Sequence, residues 1–450
     1  MNMLSSHNTP KITFRRIFII AIPVLLANLA MPIQGLVDTA IIAQMGQAAS
    51  LAGLGIAVQM MTVLLASFNF LQYASSGLTA QHLGATGLTS GILAIAWRAW
   101  LIAAFIAIML WLAQIPLVQL GLTLFSASQT ASDIAKEYLG IRFFGVFAEL
   151  ANYVFVGVLA GMGRTRQLLL LQSTIALLNI VISILLVKFA HLGVAGVAWG
   201  TVLAQWLGVL MGLFVFANSL GISIKKIWQI NMQAFEKSKL FSLLRLNKDI
   251  FIRTILLTLS FAWLTKLGAM HGDAALSANI ILLQILSLSA YALDGLAVAA
   301  ETLCGQAFGQ KNRSLFLLAF RRTGISIMAI AALLSVGWLL AMPSYLDMMA
   351  KDPVVHAIAT RHSLFASLLP IVGALAYWID GVYFGMTAGK QIRQAAMIVA
   401  VIYFLASVIL HTNFGMIGIW LSVLLLLALR FVVLACFLPS TLNTLETQDE

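Results

Sequence analysis

Twelve apolar runs, each long enough to cross a bilayer, constrain what this 450-residue chain can become. A spanning helix needs about 20 mostly apolar residues, and lipid offers no partner to an unpaired backbone group. The runs fall at roughly 17–43, 51–80, 92–114, 136–160, 167–188, 193–217, 245–268, 275–305, 314–341, 354–386, 392–411 and 414–437. Breakers punctuate them, including Gly161-Met162-Gly163, His191 to Gly193 and Pro343. Only 9% of residues are charged, whereas a soluble chain carries about 25%. The fold class is therefore an all-α polytopic membrane protein of twelve transmembrane helices.

The net charge of +11 does not mark a nucleic-acid groove, because the basic residues lie in short loops between runs. One alternating set of loops holds Lys11, Arg15 and Arg16; Arg164 and Arg166; Lys225, Lys226, Lys237 and Lys239; Lys311 and Arg313; and Lys390 and Arg393. The opposite set holds little beyond Lys188, Lys266 and Lys351. The positive-inside rule then places both termini in the cytoplasm. The first dozen residues are polar, so no cleavable signal is expected. Cys304 and Cys436 lie within or beside apolar runs and imply no disulfide framework. Thr441 to Glu450 reads as a short acidic tail.

The chain repeats itself. Gln81-His-Leu-Gly84 and Gln306-Ala-Phe-Gly309 lie 225 positions apart, and Gly157-x-x-x-Gly161-Met162 precedes Gly381-x-x-x-Gly385-Met386 by 224. Two six-helix repeats of equal orientation have a pseudo-axis along the membrane normal. The small-xxx-small pairs allow close helix approach. The expected organisation is an N-lobe over 1–217, a cytoplasmic linker over 218–244 and a C-lobe over 245–450, with a cavity between the two lobes.

Asp38 interrupts the first apolar run. A carboxylate at the centre of a spanning helix costs roughly 2.5–3.5 kcal/mol and usually marks an ion or proton pathway; the alternative is a structural hydrogen bond between helices. Met31, Gln34 and Asp38 share one helical face. Pro23 and Pro32 each remove a backbone donor, which makes either a hinge beside the acid or a static kink. Asn179 and Ser183 are one turn apart on the fifth run. Glu149 has Arg142 two turns before it and Asn152 nearly one turn after, so it serves either a structural ion pair or as a second acid. Asp294, Glu301 and Asp380 are candidate additional acids of the C-lobe. Arg98, Lys248, Asp249, Arg253 and Arg430 read as structural groups near helix ends, where long side chains reach the interface. The histidines form no ligand cluster, and His-Glu-x-x-His and Cys-x-x-Cys are lacking, so neither a metal site nor a cofactor is expected. Aspartate-rich pairs, a nucleophile elbow and zinc ligands are also missing, which argues against an intramembrane enzyme.

The motifs taken together resemble the multidrug and toxic compound extrusion (MATE) family, in its DinF branch. The resemblance rests on Gly35-Leu-Val-Asp38-Thr39-Ala40, Gly77-Leu-Thr-Ala-Gln81, Leu178-Asn179-Ile180-Val181, and Leu246-Asn-Lys-Asp249-Ile250-x-x-Arg253. It continues through Tyr291-Ala-Leu-Asp294-Gly295, Glu301, Gly305-Gln306-Ala307-x-Gly309, Asp380-Gly381-x-x-x-Gly385 and Leu427-Ala-Leu-Arg430. It implies two six-helix lobes in a V around a central cavity. It also implies secondary active export of amphipathic, often cationic drugs or toxins by antiport against protons or sodium ions. Such a protein is expected as a monomer in the bacterial cytoplasmic (inner) membrane. Asp38 matches the family's first-helix acid, and Asn152, Asn179, Ser183 and Thr201 fall beside it in the N-lobe cavity. Where the family usually carries an aspartate, this chain has Ser183. A proton needs one acid, whereas a sodium ion near Asp38 would need several oxygens, so protons are the expected coupling ion. A flippase of lipid-linked precursors is the alternative; such proteins tend to have a strongly cationic cavity, while the mid-helix charges here are mainly acidic.

Overall fold

The computed structural model describes residues 12–44, 48–87, 91–125, 128–229 and 236–443. The first helix, α1 (Phe14–Ala43), starts where the Thr13 hydroxyl accepts the Arg16 backbone N–H at 3.2 Å, relieving one of the donors a helix start leaves unpaired. It is followed by α2 (Ala48–Ala66), α3 (Phe70–Thr86), α4 (Ile92–Leu112), α5 (Gln114–Phe125), α6 (Gln129–Arg142), α7 (Val146–Gly161), α8 (Thr165–Lys188) and α9 (Gly193–Leu220). After the short α10 (Ile224–Trp228) come α11 (Lys237–Ala269), α12 (Asp273–Gly309), α13 (Arg313–Met349), α14 (Pro353–Gly385), α15 (Gly389–Phe414) and α16 (Met416–Asn443). Twelve spans result, with α2 and α3 forming one (Ala49–Thr86) and α6 and α7 another (Gln129–Gly161). No strand occurs among the described residues.

The expected breakers divide into two kinds. Gly163 and His191, just past the ends of α7 and α8, adopt positive φ of 70° and 55°, a conformation that ends a helix, and Gly193, at 53°, opens α9. Pro343, in contrast, lies inside α13. A proline removes one backbone donor, and a spanning helix tolerates that loss when its neighbours hold it in place. The linker is also shorter than expected: α9 continues to Leu220 and α11 begins at Lys237. The C-terminal helix runs to Asn443; the remainder of the expected tail, Lys11 and the side chain of Met31 lie outside the described residues.

The repeat is visible atom by atom. A methyl group added at Gly157 would strike the Gln72 carbonyl, and one at Gly381 the Ala297 carbonyl. At Gly161 it would strike the Ser76 carbonyl, and at Gly385 that of Glu301. These carbonyls are themselves 225 positions apart, so α7 rests on α3 as α14 rests on α12. The same exchange joins the two halves: Gly84 abuts the Gln306 carbonyl and Gly309 the Gln81 carbonyl. Small residues here let backbones meet where a side chain would hold them apart.

Polar groups fasten the same seam. Gln81 Nε2 donates to the Gly385 carbonyl and to Thr387 Oγ1, both at 3.0 Å. Its repeat partner Gln306 donates to the Gly161 carbonyl at 3.5 Å. Thr302 Oγ1 donates to the Ala160 carbonyl at 2.9 Å, and Arg16 Nη2 donates to Gln306 Oε1 at 3.3 Å. The halves are thus closed along the end of the molecule that holds Arg16, Gly84, Gly161 and Gly309.

Candidate coupling and binding sites

In the N-terminal half, Asp38 comes from α1 and is 7% exposed. It stands five residues before the end of its helix, about 8 Å along the axis, and not at the middle as the run of apolar residues suggested. Burial there comes from protein. Ser183 and Arg142 are near enough to act on its charge. Gly200 lets α9 approach α8 closely at Ser183. Asn179 Nδ2 donates to Thr201 Oγ1 at 2.8 Å, and Tyr138 lies beside Thr201 and within electrostatic reach of Arg142 and Asp38. The expected grouping of Asp38, Asn179, Ser183 and Thr201 therefore assembles from α1, α8 and α9.

Its hydrogen bonding is incomplete. Asp38 Oδ1, Ser183 Oγ, Asn179 Oδ1 and Arg142 Nη1 are sealed from solvent without a partner among the described residues. Buried polar atoms are nearly always paired in native proteins. Here atoms of both donor and acceptor type are left unpaired around Asp38.

Glu149 and Arg142 form a buried ion pair at 3.0 Å, joining α7 to α6. Asn152 is turned elsewhere: its Nδ2 donates to Gln205 Oε1 at 2.7 Å and to the Gln205 carbonyl at 3.0 Å. Tyr138 and Gln205 had no sequence signal, since neither belongs to a motif and the direction each faces depends on how its helix packs. Gln34 is half-buried.

The two prolines of α1 differ. Pro23 cannot donate to the Ile19 carbonyl, and Thr165 Oγ1 at the start of α8 fills that place at 3.3 Å. Pro32 frees the carbonyl of Asn28. A side chain at neighbouring Gly35 would meet nothing within 4 Å, so the helix is loosely surrounded there. Asn28 itself reaches across the seam, donating through Nδ2 to Asp294 Oδ2 at 3.2 Å. One helix thus carries a link to the C-terminal half at Asn28 and the Asp38 side chain beside Ser183 of the N-terminal half, with Pro32 between the two.

The C-terminal acids form two arrangements. Glu301 is buried with Oε1 unpartnered; it lies beside Ser76 and within electrostatic reach of Asp294. Asp380 accepts from both Arg253 and Arg430 through Oδ2. The reading of these arginines as groups near helix ends is corrected here. Arg430 is buried midway along α16 and Arg253 is nearly so in α11, because a carboxylate on a third helix gives them a partner. Each guanidinium also covers a ring, Arg253 over Phe384 and Arg430 over Tyr377, both at 5.6 Å. Among the described residues, no group of three or more metal-ligating side chains occurs.

Comparison with known proteins places this geometry. The MatE family model matches twice, over residues 23–185 and 250–412, one match in each half. DNA damage-inducible protein F of Escherichia coli (strain K12) is 32% identical over 92% of this chain and 90% of its own length. The probable multidrug resistance protein NorM of Thermotoga maritima is 22% identical over 94% and 91%. A multidrug resistance MATE family transporter of the MOP superfamily, solved in an outward-facing conformation, superposes with a TM-score of 0.83 at 18% identity, covering 96% of this chain and 97% of that one. The chain belongs to the MatE family of multidrug and toxin efflux transporters, which are secondary transporters and not enzymes.

Proposed function

We propose that this protein exports amphipathic, often cationic small molecules by antiport against protons, with Asp38 as the group that carries the proton. The observation that carries this reading is the unpartnered Asp38 Oδ1 among the unpartnered Ser183 Oγ, Asn179 Oδ1 and Arg142 Nη1 atoms. A coupling site must exchange its occupant, and a carboxylate already tied to fixed partners would have nothing to exchange. Ser183 leaves this site one carboxylate short of the family pattern, which suits a proton better than a sodium ion.

The loops rich in lysine and arginine put the sealed seam at the cytoplasmic face, so the state described here is closed toward the cytoplasm. In the proposed cycle Asp38 takes a proton from outside, α1 bends at Pro32, and the space that holds substrate beside the N-lobe shrinks. Protonation can drive this only if the two shapes of α1 differ in proton affinity. The Asn28–Asp294 link makes such a bend felt in the C-lobe as well. Arg253 and Arg430 share Asp380 inside the C-lobe, an arrangement that does not favour a flippase cavity lined by free cations.

The test is drug efflux in proteoliposomes under imposed pH or sodium gradients. A pH gradient is expected to drive ethidium or norfloxacin export and a sodium gradient to fail. Asp38→Asn is expected to abolish export in a protein that still unfolds cooperatively. Export that survives in Asp38→Asn would overturn the proposal.

A further inference from the structure

Arg142 has two carboxylates within reach of its charge and serves only one of them. Its Nη2 donates to Glu149 Oε2 at 3.0 Å, and both side chains are buried. Its Nη1 packs against the start of α7 at Gly145, where an added methyl group would come within 3.3 Å of it. That nitrogen is sealed from solvent without an acceptor among the described residues. Asp38 is a second carboxylate within electrostatic reach of the same guanidinium, and its Oδ1 is likewise sealed without a donor. An unused donor and an unused acceptor of opposite charge thus lie in one buried cluster and do not meet.

The reason is local. Arg142 ends α6 and Glu149 lies in the first turn of α7, seven residues on and across the short turn at Phe143–Gly145. Reaching Glu149 therefore needs no convergence of distant helices, and a charge-assisted contact of this kind is among the stronger hydrogen bonds. The charged and titratable groups around Asp38 come from few elements: α6 brings Arg142 and Tyr138, and α7 brings Glu149. The neutral Ser183 and Thr201 come from α8 and α9. Asp294 of α12 meets α1 at Asn28, about 15 Å along the axis from Asp38. Asp380 shows the opposite outcome within the same molecule, a carboxylate already held by guanidiniums.

We propose that Glu149 is a positioning residue: it holds the Arg142 guanidinium away from Asp38 and so keeps that carboxylate free to take up and release a proton. An arginine stays charged throughout, so a guanidinium turned onto Asp38 would fix the acid in its ionised form, as an adjacent opposite charge does. The proton enters onto an Asp38 oxygen and leaves from it, while Arg142 and Glu149 keep their charges. This inference rests on Asp38 as the proton carrier, and it gives the buried pair a task beyond fastening α6 to α7.

The experiment measures ethidium export by the full chain in proteoliposomes under a fixed pH difference, while the pH of the proton-supplying side is stepped. Glu149→Gln frees Arg142 and is expected to move the half-maximal pH down by about 1–3 units. Combining it with Arg142→Gln removes the guanidinium as well, and the profile is expected to move back to the wild-type position. A pair that only fastened helices would leave the half-maximal pH unchanged and give a double variant no better than the single one. Glu149→Gln leaves a buried cation without its acceptor and threatens folding. Glu149→Asp keeps the charge and shortens the reach by one methylene; it is expected to shift the profile the same way by less, and it decides the matter where Glu149→Gln does not unfold cooperatively. A folded single variant that is inactive at every pH is judged by the double variant, whose recovery supports the inference and whose inactivity overturns it. Asp38→Asn is measured alongside. If it exports, Asp38 is not the carrier and both readings fall. If it is inactive while the Glu149 variants keep the wild-type profile, only the inference about Glu149 is overturned.

Discussion

Asp38 and Asp380 are both buried acids on long spanning helices, one in each half, yet their surroundings are opposite. Asp380 has two guanidiniums on one of its oxygens. Asp38 has an oxygen with no partner and sits among other unpartnered atoms. Sequence neighbours give no warning of this: each acid lies in a long, mainly apolar helix. The difference teaches that burial alone does not make a carboxylate a working group. What matters is whether the fold has already supplied its partners.

The sharpest way to break the comparison is to neutralise each acid in turn. Asp380→Asn leaves two buried arginines facing a neutral amide and is expected to cost about 3–5 kcal/mol, seen as a large fall in the unfolding midpoint in detergent. Asp38→Asn removes a charge that few groups hold and should change stability by less than about 1 kcal/mol, while abolishing export. If Asp38→Asn unfolds the protein and Asp380→Asn does not, the contrast drawn here is wrong.

A second carboxylate can be supplied beside Asp38. Ser183→Asp is expected to make export respond to a sodium gradient severalfold more than the wild type does, because the site then offers two acidic side chains to a cation. Proteoliposome flux under sodium alone measures this. An unchanged dependence on pH would mean that the serine does not select the ion.

The two prolines allow a finer test within one helix. Pro32→Ala is expected to slow export about tenfold, as loss of a hinge would. Pro23→Ala should stay within about twofold of wild type, since Thr165 already fixes the backbone there. Equal effects would remove Pro32 from the mechanism.

The smallest expected effect lies away from both acids. His271 Nε2 faces His411 Nε2 at 2.9 Å. Partial burial, and then the neighbouring imidazole, hold His271 below its ordinary value. The unfolded chain therefore takes up a proton that the folded one resists. This contribution to stability is present above about pH 6.5 and is lost as the pH falls through that range. Between pH 7.5 and 5 the wild type should lose about 1–2 °C more in unfolding midpoint than His271→Gln. A parallel decline in the two proteins would refute it.

The twelve spans, the repeat and the kinship were legible because they depend on local or additive properties. Apolar run length decides insertion, and glycines at matching offsets report where backbones meet. The grouping of Asp38 with Asn179, Ser183 and Thr201 was legible too, through the family motifs that carry them. Other features had no such signal. That Thr165 completes the break at Pro23, that Asn28 reaches Asp294, and that Asn152 turns to Gln205 depend on rotations of helices distant in sequence. The pairing of Arg253 and Arg430 on Asp380 likewise required three helices to converge. A sequence states which residues are polar within the membrane, because that is a property of each residue alone. Only the tertiary structure decides which of them meet, because a partner is a matter of position in space, and in lipid a polar atom's behaviour follows from its partner.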